Sequence, residues 1–467
     1  MVLACSGFLN IAMVQSTVII LPSIASTLKI PASRQQWVGS AYNVAMGCTL
    51  LLWGSLADLY SRRAVFLQGS TLLALLTIIP PFVPQEIPFY IVRALQGAFA
   101  AATLPSALGI LGACFPPGPR RNFAFAAHSA MSSLGSVVGN IMGGLIGASL
   151  TWRWVFWILA AVTAAISVAA FFMIPRAASA TGAAGRGGRG RDLDWVGALM
   201  STGGILMLLV AVTEGSSLGW KRPWIPALTV VSVLVLIGFC AWQWYLEHRT
   251  KRQPLVRLSL FHNFHVSLSL LIACVFFGSF QSFLYFATYF YQDSLQLSSL
   301  DTTLRFLPAG LAGILSLAVI PKALSTIPHV YLLIFATVCG LTSPLLFSVP
   351  IPPHTSYWAW GFPAMCLCIS ADIVGPVLTL FIVQTLPRCD HSVGTGLLST
   401  SNQLGRTFGL LIATAVQSAV DTHGVANPGR EFLRGLRAAQ GFNTALAGVA
   451  LAVVLCALPW LRGAKGR

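Results

Sequence analysis

Apolar runs of roughly 20 residues, the length a helix needs to cross a bilayer, follow one another along nearly the whole chain. Fourteen of them run over 4–25, 38–57, 64–84, 88–114, 122–148, 154–174, 195–213, 225–246, 264–291, 303–321, 329–349, 357–386, 394–420 and 440–461. Most of the charge is confined to the gaps between them. Only 9% of residues are charged and 56% are hydrophobic, whereas a soluble domain has about 25% charged residues. A water-soluble surface cannot be built from this composition. The expected fold class is therefore an all-α membrane protein with 14 transmembrane helices.

The gaps set the domain plan. Residues 1–175 read as an N-terminal six-helix bundle and 176–194 as a basic linker rich in Gly, Ala and Arg. Residues 195–246 hold two extra helices and 247–263 a second basic loop. A C-terminal six-helix bundle fills 264–467, giving a 6+2+6 order. With the N-terminus placed in the cytoplasm, 17 Lys and Arg fall on the cytoplasmic side and nine on the other. That excess is the positive-inside pattern. It accounts for the net charge of +16 without nucleic acid as a partner. Transporters commonly repeat a bundle in two halves, with a substrate site near the midplane. No repeat is evident here at the level of residues.

Charge inside a span is costly, and each case needs a reason. Arg93, Gln96 and Gly97 share one helix face in "IVRALQGAFAAA". Arg93 either caps carbonyls of a neighbouring helix or couples substrate to protons. Asp372 is the acid placed deep in a span, and Arg406 ends a polar stripe of Thr395, Ser399 and Asn402. An Asp372–Arg406 pair between spans 12 and 13 is expected on the cost of unpaired charge. His128 is either a structural histidine or a third proton-coupling group. Gly135, Gly139 and Gly143 recur every fourth residue, a row that admits a second backbone, while Gly144 lies beside it. Gln281 and Tyr285 share a face of span 9, opposite Phe276, Phe280 and Phe283. With Gln96, Asn402 and Arg406 they are candidate walls of a substrate cavity. Trp224, Trp358 and Trp360 read as interfacial belt residues.

No phosphate-binding loop, metal-ligand spacing or nucleophile elbow is present, so no enzyme, cofactor or metal is expected. The ten cysteines lie mostly in apolar runs and imply no disulfide framework. Without a phosphate-binding loop, direct ATP drive is not expected.

The stretch "GSLADLYSRR" carries an acid and two arginines between spans 2 and 3. Topology alone explains Arg62 and Arg63. Asp58, at the C-terminal end of its span, faces the negative pole of its own helix. It needs a cation or another helix N-terminus. Through Gly54, Leu56, Ala57, Asp58, Arg62 and Arg63 the stretch resembles the loop 2–3 signature of the major facilitator superfamily. Leu59 and Ser61 replace that pattern's usual Arg and Gly. "IVRALQGAFAAA" resembles the family's fourth-helix pattern. "LGSVVGNIMGG" is similar to its fifth-helix antiporter pattern, with Asn140 in place of Pro. "WRWVFWI" and "LRFLPAGLAG" are similar to the fourteen-helix drug:proton antiporter branch, and "SADIVGPVLTLFIVQTLP" and "GLLSTSNQLGRTFG" are similar to its fungal members.

The resemblance implies small-molecule efflux in exchange for protons, by a monomer in the plasma membrane or the vacuolar membrane. It also implies a cytoplasmic latch built on Asp58 and its arginines, and a proton-coupling role for Arg93. Where the branch often has an Asp in helix 1, "NIAMVQSTVIILP" offers Asn10 and Gln15. Alternative readings are uptake or vacuolar transport of amino acids or other polar solutes, and a non-transporting membrane sensor.

Overall fold

The computed structural model describes residues 2–31, 34–35, 37–116, 118–174, 194–218, 222–250, 254–297, 299–349, 355–387, 391–421 and 428–459. The basic linker, apart from Asp194, and residues 251–253 of the second basic loop lie outside them. Among the described residues there are sixteen α-helices and no strand. They are α1 (Cys5–Ile19), α2 (Leu21–Thr27), α3 (Trp37–Leu59), α4 (Arg62–Ile78), α5 (Glu86–Cys114), α6 (Pro119–Ser149), α7 (Arg153–Met173) and α8 (Trp195–Leu218). The others are α9 (Trp224–Arg249), α10 (Phe264–Tyr289), α11 (Ser299–Thr326), α12 (His329–Ser348), α13 (Tyr357–Cys366), α14 (Ile369–Thr385), α15 (His391–Asp421) and α16 (Pro428–Cys456). Helices satisfy every backbone group within the segment, which is what hydrocarbon requires.

Local chemistry sets the boundaries. Ser61 caps α4, its hydroxyl accepting from Ala64 N at 3.2 Å. Its φ of −166° is extended backbone, so the serine that replaces the family's glycine meets no strain and starts a helix. Before α6, Gly118 has φ +149°, which favours glycine, and Pro119 follows at the first helical position. The first span is bent by 59° between α1 and α2, where Pro22 enters the new helix. The span over 357–386 is also broken: α13 stops at Cys366 and α14 starts at Ile369.

Among the described residues, ten helices are long and apolar enough to cross a membrane, or up to twelve if each of two bent pairs is one span. α3 and α15 also have spanning length, 23 and 31 residues, but polar residues such as Asn43 and Asn402 interrupt them.

The chain forms two compact units. One comprises residues 1–267 and 379–400, the other 268–378 and 401–467. In the first, α1 packs on α6, α3 on α5, and α4 on both α5 and α7. In the second, α10 packs on α15 through Gly278, Gly405 and Gly409. There too α11 packs on α13, and α12 on both α13 and α16. Numbering the spans of each half one to six, both halves use the pairs 1–5, 2–4, 3–4 and 3–6. The repeat that residue comparison hides is thus present in the packing. The two extra helices, α8 and α9, pair with each other, and α8 lies on α3.

Each unit has its own aromatic core. Tyr42, Phe89, Trp152 and Phe156 anchor the first. Phe283, Phe290, Tyr291, Phe347 and Trp360 anchor the second. Trp360 is therefore a core residue, 6% exposed and 4.9 Å from the Phe347 ring, whereas Trp358 is 70% exposed as a belt residue would be. Phe276 and Phe283 are likewise buried and offer no face to a ligand.

Candidate functional site

Two polar constellations stand out in the first unit. The first is built on Asp58. Arg62, one helical turn further on, places Nε 2.8 Å and Nη2 2.6 Å from Asp58 Oδ1. The other carboxylate oxygen accepts the backbone N–H of Val393 at 2.8 Å. Val393 lies in the first turn of α15, so Asp58 faces the positive pole of that helix. Arg62 Nε also lies 2.8 Å from Ser392 Oγ, and Nη1 donates to Gly109 O at 3.3 Å. Asp58 is 7% exposed and Arg62 1%. A buried ion pair offsets its desolvation only when its remaining hydrogen-bonding groups are also satisfied, and here Ser392, Val393 and Gly109 do this.

Small residues make the approach possible. A Cβ on Gly54 would stand 2.9 Å from Ser392 O, and one on Gly109 would collide with the Ser392 hydroxyl. Arg63 takes no part. Its Nη2 donates to Phe171 O at 2.8 Å and its guanidinium lies over the Phe171 ring, at the C-terminal end of α7, where a cation is favoured. The two arginines of the signature thus have different partners.

The second constellation surrounds Arg93 on α5, which is 1% exposed. Its Nε donates to Val38 O at 3.1 Å and its Nη1 to Gln96 Oε1 at 2.8 Å. The guanidinium lies 4.9 Å from the Tyr42 ring centre and 5.9 Å from that of Phe156. Nη2 has no hydrogen-bond partner among the described residues, and neither described ion pair includes Arg93. Carbonyls and π faces, rather than a carboxylate, thus hold this cation. Tyr42 OH donates to Asn10 Oδ1 at 2.8 Å, and Asn10 Nδ2 donates to Thr103 Oγ1 at 3.2 Å. Asn10 therefore ties α1, α3 and α5 together. Gln96 gives its other end to Leu76 O at 3.2 Å and is fully buried. It orients Arg93. Gly97 lets α5 lie on α3, since a Cβ there would collide with Tyr42 O.

The glycine row of α6 lies on α1. A Cβ on Gly139 would come within 2.8 Å of Ala12 O, and one on Gly143 within 3.0 Å of Ser16 O. Gly135 meets Phe8 O, whereas a Cβ on Gly144 would meet nothing within 4 Å. His128 continues the contact against Gly7, with Nδ1 unpartnered among the described residues.

In the second unit Asp372 is 4% exposed, in the first turn of α14. Asp372 thus lies just after the two-residue turn that separates α13 from α14. The expected Asp372–Arg406 pair is not formed. Arg406 lies 5.3 Å from the Phe277 ring centre, its Nε without a hydrogen-bond partner among the described residues. The Gly405 and Gly409 contacts with α10 turn Arg406 toward that helix. Asn402 and Gln281 are half-buried, and Tyr285, 39% exposed, shares a 2.9 Å hydrogen bond with Tyr289 OH. Sequence reasoning missed Ser392, Val393 and Gly109, and it treated Asn10 only as a missing acid. A signal was present in "DHSVG", where polar residues open a helix.

Comparison with known proteins places these features. The family model described as Major Facilitator Superfamily matches residues 3–410. A low affinity ammonium transporter of Saccharomyces cerevisiae is 26% identical over 427 residues, covering 90% of this chain and 80% of the relative. The puromycin resistance protein pur8 of Streptomyces alboniger is 29% identical over 416 residues, 88% of this chain and 80% of the relative. The crystal structure of the human organic anion transporter MFSD10 (TETRAN) superposes with a TM-score of 0.69 at 16% identity, over 97% of this chain and 98% of that one. With a family model spanning most of its length and all-helical units of the same fold, the chain belongs to the Major Facilitator Superfamily of membrane transporters.

Proposed function

We propose that this transporter exports small lipophilic compounds in exchange for protons, by alternating access through 14 spans. In this reading α3 and α15 are spans despite their polar residues, because those residues pack inside protein. Asp58, Arg62 and the N-terminus of α15 form the cytoplasmic latch, closed as described above. Asp372 carries the exchanged proton. Arg93 holds a positive charge in the opposite half and tunes the coupling, and His128 is a secondary titrating group. The half-buried Gln281, Asn402 and Arg406 line the cavity, with the exposed Tyr285 at its edge. The observation that carries this reading is the Asp58–Arg62–Val393 arrangement. It joins two segments by bonds that a single movement of α15 would break together. Relatives named for puromycin resistance and for cephamycin export support the efflux direction.

The test is transport in proteoliposomes under an imposed pH gradient, with planar aromatic cations and antibiotics as probes. Uptake into inside-out vesicles should follow the gradient and fall to background when an ionophore collapses it. Gradient-independent transport would overturn the antiport reading. A second reading, uptake or vacuolar transport of amino acids or other polar solutes, is favoured by the ammonium transporter relative. The same vesicles loaded with ammonium or amino acids distinguish it.

A further inference from the structure

The two extra helices are not passive insertions. Asp194 opens α8, and its Oδ1 accepts Gly197 N at 2.9 Å and Trp242 Nε1 at 3.0 Å. Its Oδ2 accepts Gln243 Nε2 at 2.7 Å. Gln243, fully buried on α9, uses its Oε1 to accept Val256 N at 3.2 Å. The neighbouring Leu255 O accepts Ser55 Oγ at 3.2 Å, on the helical turn of α3 just before Asp58. Glu247 Oε2 accepts Leu258 N at 2.9 Å and fixes the following short turn. A continuous chain of hydrogen bonds thus runs from the start of α8, across α9, into the segment 254–259 and onto α3. The side chains complete it. Leu255 and Val256, 5% and 2% exposed, share one apolar cluster with Leu51, Ala198 and Val393. Val393 is therefore bonded to Asp58 through its N–H and belongs to the same apolar cluster as the tether.

We propose that the α8–α9 hairpin, through Asp194, Gln243 and the Leu255–Val256 segment, positions the seat on which the first turn of α15 docks, and so sets how often the latch opens. This rests on the latch reading above. Asp194, Gln243 and Ser55 are positioning residues, since none touches substrate or the Asp58–Arg62 pair. When α15 leaves Asp58 it must also withdraw Val393 from the apolar seat. A hairpin with a loosened tether deepens that seat less, and the closed state loses population.

The experiment uses the full chain in proteoliposomes, in a background with native cysteines replaced. Thr395→Cys reports on the latch, since Thr395 is fully buried beneath it. Ala100→Cys, in the core of the same unit, reports on general loosening. A membrane-impermeant maleimide is applied from the latch side. Gln243→Ala should speed labelling of the Thr395→Cys reporter roughly tenfold and Ser55→Ala roughly threefold, reflecting two lost hydrogen bonds and one. Ser55→Thr should restore the slow rate, and the Ala100→Cys reporter should stay unlabelled. Asp58→Asn, which breaks the latch itself, should be faster than either. If Asp58→Asn is fast while Gln243→Ala and Ser55→Ala match the parent, the tether is overturned and the latch stands. If Asp58→Asn also matches the parent, the latch reading fails and takes the tether with it. If Gln243→Ala speeds both reporters equally, the hairpin is merely structural and the proposal is overturned.

Discussion

The two units pair their helices alike but carry charge differently. In the first, the turn between α3 and α4 holds a buried acid and arginine joined to a third helix. In the second, the corresponding turn, between α11 and α12, belongs to the stretch "PKALSTIPH", with one lysine and no acid. There the Ser325 and Thr326 hydroxyls bond back to Lys322 O. The helix pairing is carried by glycines and apolar surface, which tolerate wide change in sequence. The Asp58–Arg62 arrangement needs particular charges, and it is found in the first unit. The units also divide the membrane-buried charge. The first holds Arg93, a cation without a described carboxylate partner, and the second holds both the acid Asp372 and the cation Arg406, which lies over the Phe277 ring. The two units thus share packing and differ in chemistry.

The comparison can be broken at several points. Asp58→Ala should cost most, because it leaves the Arg62 guanidinium buried without its counter-charge. The cost of breaking such a pair is about 3–5 kcal/mol, read as a lower thermal midpoint in detergent. Lys322→Ala at the matching turn of the second unit should leave that midpoint unchanged, and a similar loss there would erase the claimed asymmetry. Next comes the shared packing. Gly97→Leu in the first unit and Gly405→Leu in the second should each cost about 3 kcal/mol by overpacking, since both meet a facing carbonyl. Gly144→Leu, with open space around it, should be tolerated. Ser392→Ala should cost about 1 kcal/mol, one hydrogen bond to a guanidinium that keeps its others. Of the changes that cost stability, Arg63→Ala should cost the least, about 0.3–1 kcal/mol for a cation at a helix end. An equal penalty at Arg62 and Arg63 would show that both arginines serve the latch.

What the sequence revealed follows from which interactions are local. Helix positions were legible because each span is a continuous apolar run. Asp58 was legible as a residue in need of a partner, since its place at a helix C-terminus is a local fact. Its partner was not, because Val393 lies 335 residues away and no period or motif links the two. The face shared by Arg93, Gln96 and Gly97 was readable from spacing. That Gln96 would serve Arg93, and that Tyr42 and Phe156 would hold the guanidinium, depends on contacts between α3, α5 and α7. The Asp372–Arg406 pair failed for the same reason. Cost arguments say a buried charge needs compensation, and they do not say that a helix pole or an aromatic ring will provide it. The break between α13 and α14 hid in an unbroken apolar run.

The central claim is that the acid of the second unit carries the exchanged proton. Its most direct test is proton release on substrate binding, measured in weakly buffered detergent solution with a pH dye. The wild-type protein should release about one proton per bound probe molecule, since a site shared by proton and substrate obeys linkage. Asp372→Asn should bind the probe and release none. Undiminished release from the Asp372→Asn protein would contradict the account.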